Sequence, residues 1–209
     1  MDKNYLIRYW KNSKIIRDDR VINAFKAVPR ENFIHKEYLN EAYGDYPLPI
    51  GYGQTISQPT TVMIMTQALE LKPGHKVLEV GAGSGYQAAI ISKIVGKKGK
   101  VITTEIVPEL VEFAKHNLGK CKIDNVFVIH HDGSQGYEKE APYDRIIVTA
   151  ACPSVPRPLI EQLKPNGIII LPVGSLSQQI MLKIRKVNGL EKESLGNFVF
   201  VPLKGKYGY

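Results

Sequence analysis

Between residues 76 and 173 short apolar runs alternate with stretches of helical period. Residues 77–80 read as a strand, and a glycine-rich turn leads from it into a helix over 86–95. Gly99 and Lys100 introduce a second strand at 101–105. Pro108, suited to the first turn of a helix, opens one that runs towards Leu118. Further strands are predicted at 126–130, 145–150 and 168–173, with a short helix at 158–163 closed by Pro165-Asn166-Gly167. Two or three more strands follow from Gln179 to the C-terminus.

Ahead of residue 76 the pattern is less regular. Residues 21–28 look helical and Pro29 marks the end of that helix. Residues 30–57, rich in aromatics, Gly and Pro, predict irregular structure wrapped on the domain. Helical period returns after Pro59, with Val62, Met65 and Leu69 on one face, until Pro73-Gly74 breaks it.

Strands alternating with helices, several of them apolar throughout, imply a parallel sheet covered on both faces. The fold class expected is therefore α/β, a doubly wound and mostly parallel sheet. Such sheets bind ligands beyond the carboxyl ends of their strands, which places the turn after 77–80 in the site. The chain has 209 residues and no repeat, low-complexity tract or Gly/Ser linker, so one domain over 1–209 is expected. Within it, 1–58 would hold N-terminal helices and an active-site segment, and 59–209 a cofactor-binding core with C-terminal strands.

Composition narrows the class. Hydrophobic content of 44% and charged content of 23% are ordinary for a globular protein. The first twenty residues are dotted with charge and lack the apolar centre of a signal peptide. Apolar runs such as 168–173 are too short to span a bilayer, so a cytoplasmic enzyme without membrane association is expected. Cys121 and Cys152 form no metal-ligand pattern and are expected as reduced thiols. Net charge is +8, which favours anionic partners in general. The basic residues are spread along the chain, apart from Lys97, Lys98 and Lys100, so no specific nucleic-acid binding is expected.

The glycine turn reads Glu79-Val80-Gly81-Ala82-Gly83-Ser84-Gly85. Glycines permit positive φ and close approach of a ligand to the backbone, although such a pattern also makes a bare strand-to-helix turn. Two features sharpen it. The position where a dinucleotide fingerprint wants Gly or Ala holds Tyr86, and the acidic Glu79 stands two residues before the first glycine. A negative charge there would repel a pyrophosphate but suits the cationic amino group and sulfonium of S-adenosylmethionine. The combination resembles the first motif of the class I methyltransferases, whose Rossmann-like core would here carry an N-terminal helical extension. Glu105, closing the second strand, is placed to accept hydrogen bonds from ribose hydroxyls. Asp132-Gly133, ending the third, is placed beside an adenine, though Asp-Gly is also a common turn.

No nucleophile–histidine pair and no metal cluster stands out, and no metal is expected. Methyl transfer needs neither if the acceptor is already an anion, as a carboxylate is at neutral pH. The protein need only align it and exclude water. A fixed ammonium on the attacking oxygen would blunt it, whereas a neutral hydroxyl and backbone amides would orient it with less loss. Gly53-Gln54-Thr55-Ile56-Ser57-Gln58-Pro59 offers that arrangement just before a helix whose N-terminal amides favour an anion. Ser57 or Thr55 also reads as a plain helix cap, the role that local sequence alone favours.

Here the sequence resembles one family. Pro29-Arg30-Glu31-Asn32-Phe33, residues 42–51, 53–59, 77–88, 143–153 and 163–174 are similar to the signature of the protein L-isoaspartate O-methyltransferases, and Phe200-Val201-Pro202-Leu203 matches beyond them. The resemblance implies transfer of a methyl group from S-adenosylmethionine, giving S-adenosylhomocysteine, to the free carboxylate of L-isoaspartyl residues in peptides and aged proteins. The ester then collapses to a succinimide. It implies Ser57 as the catalytic contact to the acceptor, with Thr55, Ile56, Pro59, Thr149 and Ala150 around it. Glu79, Gly81, Gly83, Ser84, Gly85, Glu105, Asp132 and Gly133 would hold the cofactor, and a monomer would suffice. Cys152, Asn166 and Lys204 depart from the family pattern. The rival readings are a nucleic-acid methyltransferase, a non-catalytic nucleoside-binding module and a nicotinamide oxidoreductase.

Overall fold

The computed structural model describes residues 2–209. Its N-terminal part opens with α1 (Lys3–Asn12), capped by the Asp2 carboxylate on the Tyr5 amide at 2.7 Å, and α2 (Asp19–Ala27), capped by Asp18. Each buries one apolar stripe: Leu6, Ile7 and Trp10 from α1, and Val21, Ile22, Ala24 and Phe25 from α2. Trp10 meets Phe25 edge-on at 4.7 Å. Two 3-10 turns (Arg30–Phe33 and Lys36–Glu41) follow. The segment expected as irregular then folds into a small hairpin, β1 (Leu48–Gly51) with β2 (Gln54–Ile56), before α3 (Pro59–Ala68). Its turn is left-handed at Gly51, Tyr52 and Gly53, which the two glycines make cheap.

The core alternates as the pattern predicts: β3 (Lys76–Val80), α4 (Tyr86–Val95), β4 (Lys100–Glu105), α5 (Pro108–Lys120), β5 (Val126–His130), β6 (Tyr143–Val148), α6 (Arg157–Glu161) and β7 (Leu163–Gly174). Two antiparallel strands, β8 (Gln179–Val187) and β9 (Gly189–Phe198), complete a seven-stranded sheet of order β5-β4-β3-β6-β7-β8-β9. The other pairings are parallel, so the fold is the doubly wound, mostly parallel sheet expected. The chain leaves β3 towards β4 and later returns to its other side as β6, which makes the end of β3 the switch point.

Two boundaries differ from the expectation. Strand β6 spans Tyr143–Val148, so Ala150 lies beyond it at the mouth of the sheet. Pro165-Asn166-Gly167 does not separate a helix from a strand. Leu163 already pairs with Tyr143, and the three residues bulge out of β7 with Asn166 at φ 61° before pairing resumes at Ile168. A bulge carries the same Pro/Asn/Gly signals as a loop.

Alternation along β3 splits the core. Val77 packs with α1–α5 on one face, and Leu78 and Val80 with Leu159 of α6 and Leu203 on the other. Glu79 shares the Val77 face and is fully buried. Cys121 and Cys152 are both free thiols. Among the described residues, no helix is long and apolar enough to cross a membrane.

Candidate active site

The turn after β3 is left-handed at Gly81 (φ 96°), Gly83 (φ 51°) and Gly85 (φ 85°), and Gly85 is the N-cap of α4. A Cβ at Gly81 would stand 2.5 Å from Thr149 Oγ1 and one at Gly83 3.3 Å from Ile50 Cδ1. The turn is thus clasped between Thr149, beyond β6, and the β1–β2 hairpin. Thr149 Oγ1 lies 2.7 Å from the Gly81 carbonyl. The Gly81 and Ala82 amides donate to the Thr104 carbonyl at 2.9 and 3.0 Å.

Two carboxyls stand behind this turn in opposite states. Glu105 is buried at the end of β4, and Oε2 accepts from the Gly83 amide at 2.9 Å. Its Oε1 accepts from Ile106 and Val107 at 2.9 and 3.0 Å. Both oxygens are therefore aimed by backbone donors. Glu79, its neighbour on β3, has no hydrogen-bond partner at either oxygen. Burial pushes its carboxyl up to about 8; the Thr103 hydroxyl opposes this and the nearby Glu105 charge adds to it. Glu79 borders none of the hollows at this site, and a cationic ligand over the glycine turn would supply the counter-charge that its ionised form lacks.

Three connected hollows meet here. An inner cavity of about 60 Å³ lies over the glycine turn, bounded by Ile56, Ser57, Gly81, Gly83, Ser84 and Glu105. A second, of about 50 Å³, runs along Val80, Gly81, Glu105, Gly133, Ala150 and Leu203. Its apolar walls and the Glu105 carboxylate suit a nucleoside. Outside lies a cleft of about 720 Å³, and Thr55, Ser57, Thr149 and Val201 border both it and the inner cavity. These four form the neck between cleft and glycine turn.

Ser57 sits half-buried at that neck, and its hydroxyl makes no hydrogen bond to any described residue. It is not the helix cap. Gln58 holds the N-cap position without a side-chain bond to the helix amides, and the Asp45 carboxylate takes the Thr60 amide at 2.9 Å and Thr60 Oγ1 at 2.7 Å. The first turn of α3 is thereby already supplied with an anion from within the protein. The Ser57 main chain is gripped instead, because Arg30 Nη1 donates to its carbonyl at 2.7 Å. Arg30 is fully buried, with its guanidinium 5.5 Å from the centre of the Tyr86 ring.

Most of the residues singled out in the sequence converge: Thr55, Ile56, Ser57, Gly81, Gly83, Ser84, Glu105, Gly133, Thr149 and Ala150 line these hollows. Gly85 shapes the turn beneath them. Pro59 does not join them; it is buried in the first turn of α3. Asp132 departs furthest from its expected place beside a nucleobase. Its Oδ1 accepts from the Ser134 amide and hydroxyl, and its Oδ2 from Gln135 and the Lys206 amide. It caps a turn and tethers the C-terminal segment, while Gly133 alone of the pair reaches the cavity. Burial raises the Asp132 carboxyl, but these donors together hold it below its ordinary value. Arg30, Asp45 and the 197–203 segment were not assigned roles from sequence. His131 borders the second cavity, although nothing in its local pattern marks it out.

The chain matches the sequence profile of protein-L-isoaspartate(D-aspartate) O-methyltransferase over residues 1–208. It belongs to the protein-L-isoaspartate(D-aspartate) O-methyltransferase family. Protein-L-isoaspartate O-methyltransferase 2 of Archaeoglobus fulgidus is 54% identical over 91% of this chain and 87% of its own. The protein-L-isoaspartate O-methyltransferase of Staphylothermus marinus is 47% identical over 100% of this chain and 96% of its own. A solved structure from Plasmodium falciparum, assigned to the same family and holding S-adenosyl-L-homocysteine, superposes with a TM-score of 0.85 at 32% identity. That alignment covers 98% of this chain and 99% of the other. Among the described residues no cluster of His, Cys, Asp and Glu could hold a metal ion.

Proposed function

We propose that Ser57 and Thr55 orient the free carboxylate of an L-isoaspartyl residue at the neck between the cleft and the glycine turn. The chain is a protein repair methyltransferase, and its reaction turns that carboxylate into a methyl ester that collapses to a succinimide. S-adenosylmethionine, when bound, supplies a methyl group on a cationic sulfonium. Glu79, Gly81, Gly83, Ser84, Gly85, Glu105 and Gly133 would hold it, with Ala150 beside the nucleoside.

The observation that carries this reading is the free Ser57 hydroxyl where acceptor cleft and cofactor cavity share a wall. A hydroxyl with no other partner donates to an incoming carboxylate without neutralising it. No Lys, Arg or His lines the cleft, so the attacking oxygen keeps its charge. A substrate seated over the neck would displace water from it, which favours an anion meeting a cation to give neutral products. Thr149 sets the height of the turn opposite.

The uncharged cleft also argues against a nucleic-acid acceptor, whose phosphates call for basic side chains. Residues 1–58 and 59–209 work as one unit in this reading, because each contributes one side of the neck. One chain thus makes a whole site, and its two free thiols fit a reducing, cytoplasmic compartment. The test is transfer of labelled methyl to paired peptides bearing isoaspartate or aspartate at one position, with a tRNA pool alongside. Base-labile label on the isoaspartyl peptide alone is expected. Label on the tRNA, or on the aspartyl peptide equally, would overturn the assignment.

A further inference from the structure

We infer that the acceptor cleft selects isoaspartyl sites flanked by apolar residues and rejects flanks of either charge. The inference rests on the reaction proposed above and concerns its substrate class. No side chain lining the cleft is ionisable. Beyond the neck its wall is Pro47, Ile64, Phe198, Val199 and Phe200, with only amides and threonines between them. Val199 is 75% exposed, and the Phe198 and Phe200 rings stand 6.3 Å apart on either side of it in sequence.

This apolar edge is held in place. The Phe200 amide donates to Gln179 Oε1 at 2.8 Å, and Gln179 is itself only 1% exposed. The Ala151 amide donates to the Val201 carbonyl at 2.8 Å. Side chains of 198–200 are thus presented on a fixed main chain, where covering them with apolar flanks removes surface from water. A Lys or Glu flank would lose hydration there and find no counter-charge.

The surface of the protein argues the opposite way. A net charge of +8 draws acidic chains towards it, and this attraction weakens with salt. Long-range charge governs encounter, whereas the cleft governs fit, so the two make opposite forecasts for an acidic flank. Apolar stretches are the ones a native protein buries. The preferred acceptors are therefore segments exposed by unfolding, not charged surface loops.

The experiment compares three peptides of equal length with one central isoaspartate, flanked by Leu and Phe, by Lys, or by Glu. Their kcat/KM is measured at low and high salt with saturating S-adenosylmethionine. The apolar peptide is expected to exceed both charged ones by at least about tenfold, at either salt concentration. A best Glu-flanked peptide whose lead vanishes in salt would overturn the inference in favour of surface steering. Equal values for all three sink the inference alone; no transfer to any sinks the proposed reaction and the inference with it. A second arm uses Val199→Glu at this exposed position. It should move the preference to the Lys-flanked peptide and leave S-adenosylhomocysteine affinity unchanged. An unmoved ranking would exclude the 198–200 edge as the selecting surface.

Discussion

Arg30 reaches across the interior to hold the carbonyl of Ser57 at 2.7 Å, while the face of Tyr86, the first residue of α4, lies 5.5 Å from its guanidinium. One buried side chain thus joins the Ser57 segment to the helix that follows the glycine turn. Burial lowers the Arg30 pKa, with the Tyr86, Asp45 and Tyr43 groups acting against that, and the group stays cationic at neutral pH. Its Nε has no partner, so its hold on this region is made by the two terminal nitrogens and the ring.

Arg30→Lys keeps a charge but not the planar fork. We expect a lower melting temperature and a kcat reduced about tenfold in the folded fraction, with cofactor affinity changed less. Thermal unfolding and single-turnover transfer would measure the two separately. A lower melting temperature with unchanged kcat would make Arg30 a strut only.

In the proposed reaction, Ser57→Ala would remove one hydrogen bond to a charged acceptor. Turnover should fall about 10- to 100-fold, corresponding to roughly 1.5–3 kcal/mol, with S-adenosylhomocysteine affinity nearly unchanged. Because Asp45 and not Ser57 caps α3, the melting temperature should not move. Equal losses in turnover and cofactor affinity would assign the serine to the architecture of the turn.

Glu79 makes stability depend on pH in a defined direction. Its carboxyl ordinarily titrates at 4.5 and is pushed up to about 8 in the folded chain. Between those values the folded protein keeps a proton that the unfolded chain releases. The stabilisation is complete below about pH 4.5 and is lost as pH rises through about 8. Chemical denaturation without cofactor at pH 5 and pH 8.5 should show it, and Glu79→Gln should flatten the slope. An unaltered slope would trace the dependence to other groups.

Asp132→Ala tests whether this acid serves the C-terminal segment or the ligand. Loss of its bond to the Lys206 amide should speed hydrogen exchange at Lys206 and Tyr207, whose amide donates to Ser134 Oγ. Cofactor affinity should drop modestly, because Leu203 and Lys204 wall the second cavity. Weakened binding with exchange unchanged would restore the direct contact that sequence position implies.

The strand, glycine turn and helix from Lys76 to Val95 were legible because their causes are local. An apolar run, three glycines that tolerate left-handed φ, and a helical period act within a few residues of one another. The family signature carried Ser57, Thr55 and Thr149 in the same way, one motif at a time. Signals that different structures share were read less well, as with the 165–167 bulge and the hairpin at 48–56. Which groups satisfy one another was decided only in three dimensions. Asp45 caps a helix fifteen residues on, Arg30 grips Ser57 across twenty-seven, and Asp132 ties down Lys206 across seventy-four. The outer cleft likewise joins Thr55 to Phe198 and Val199. Partners at such separations leave no period in the sequence, since packing the sheet, and not the chain between them, brings them within reach.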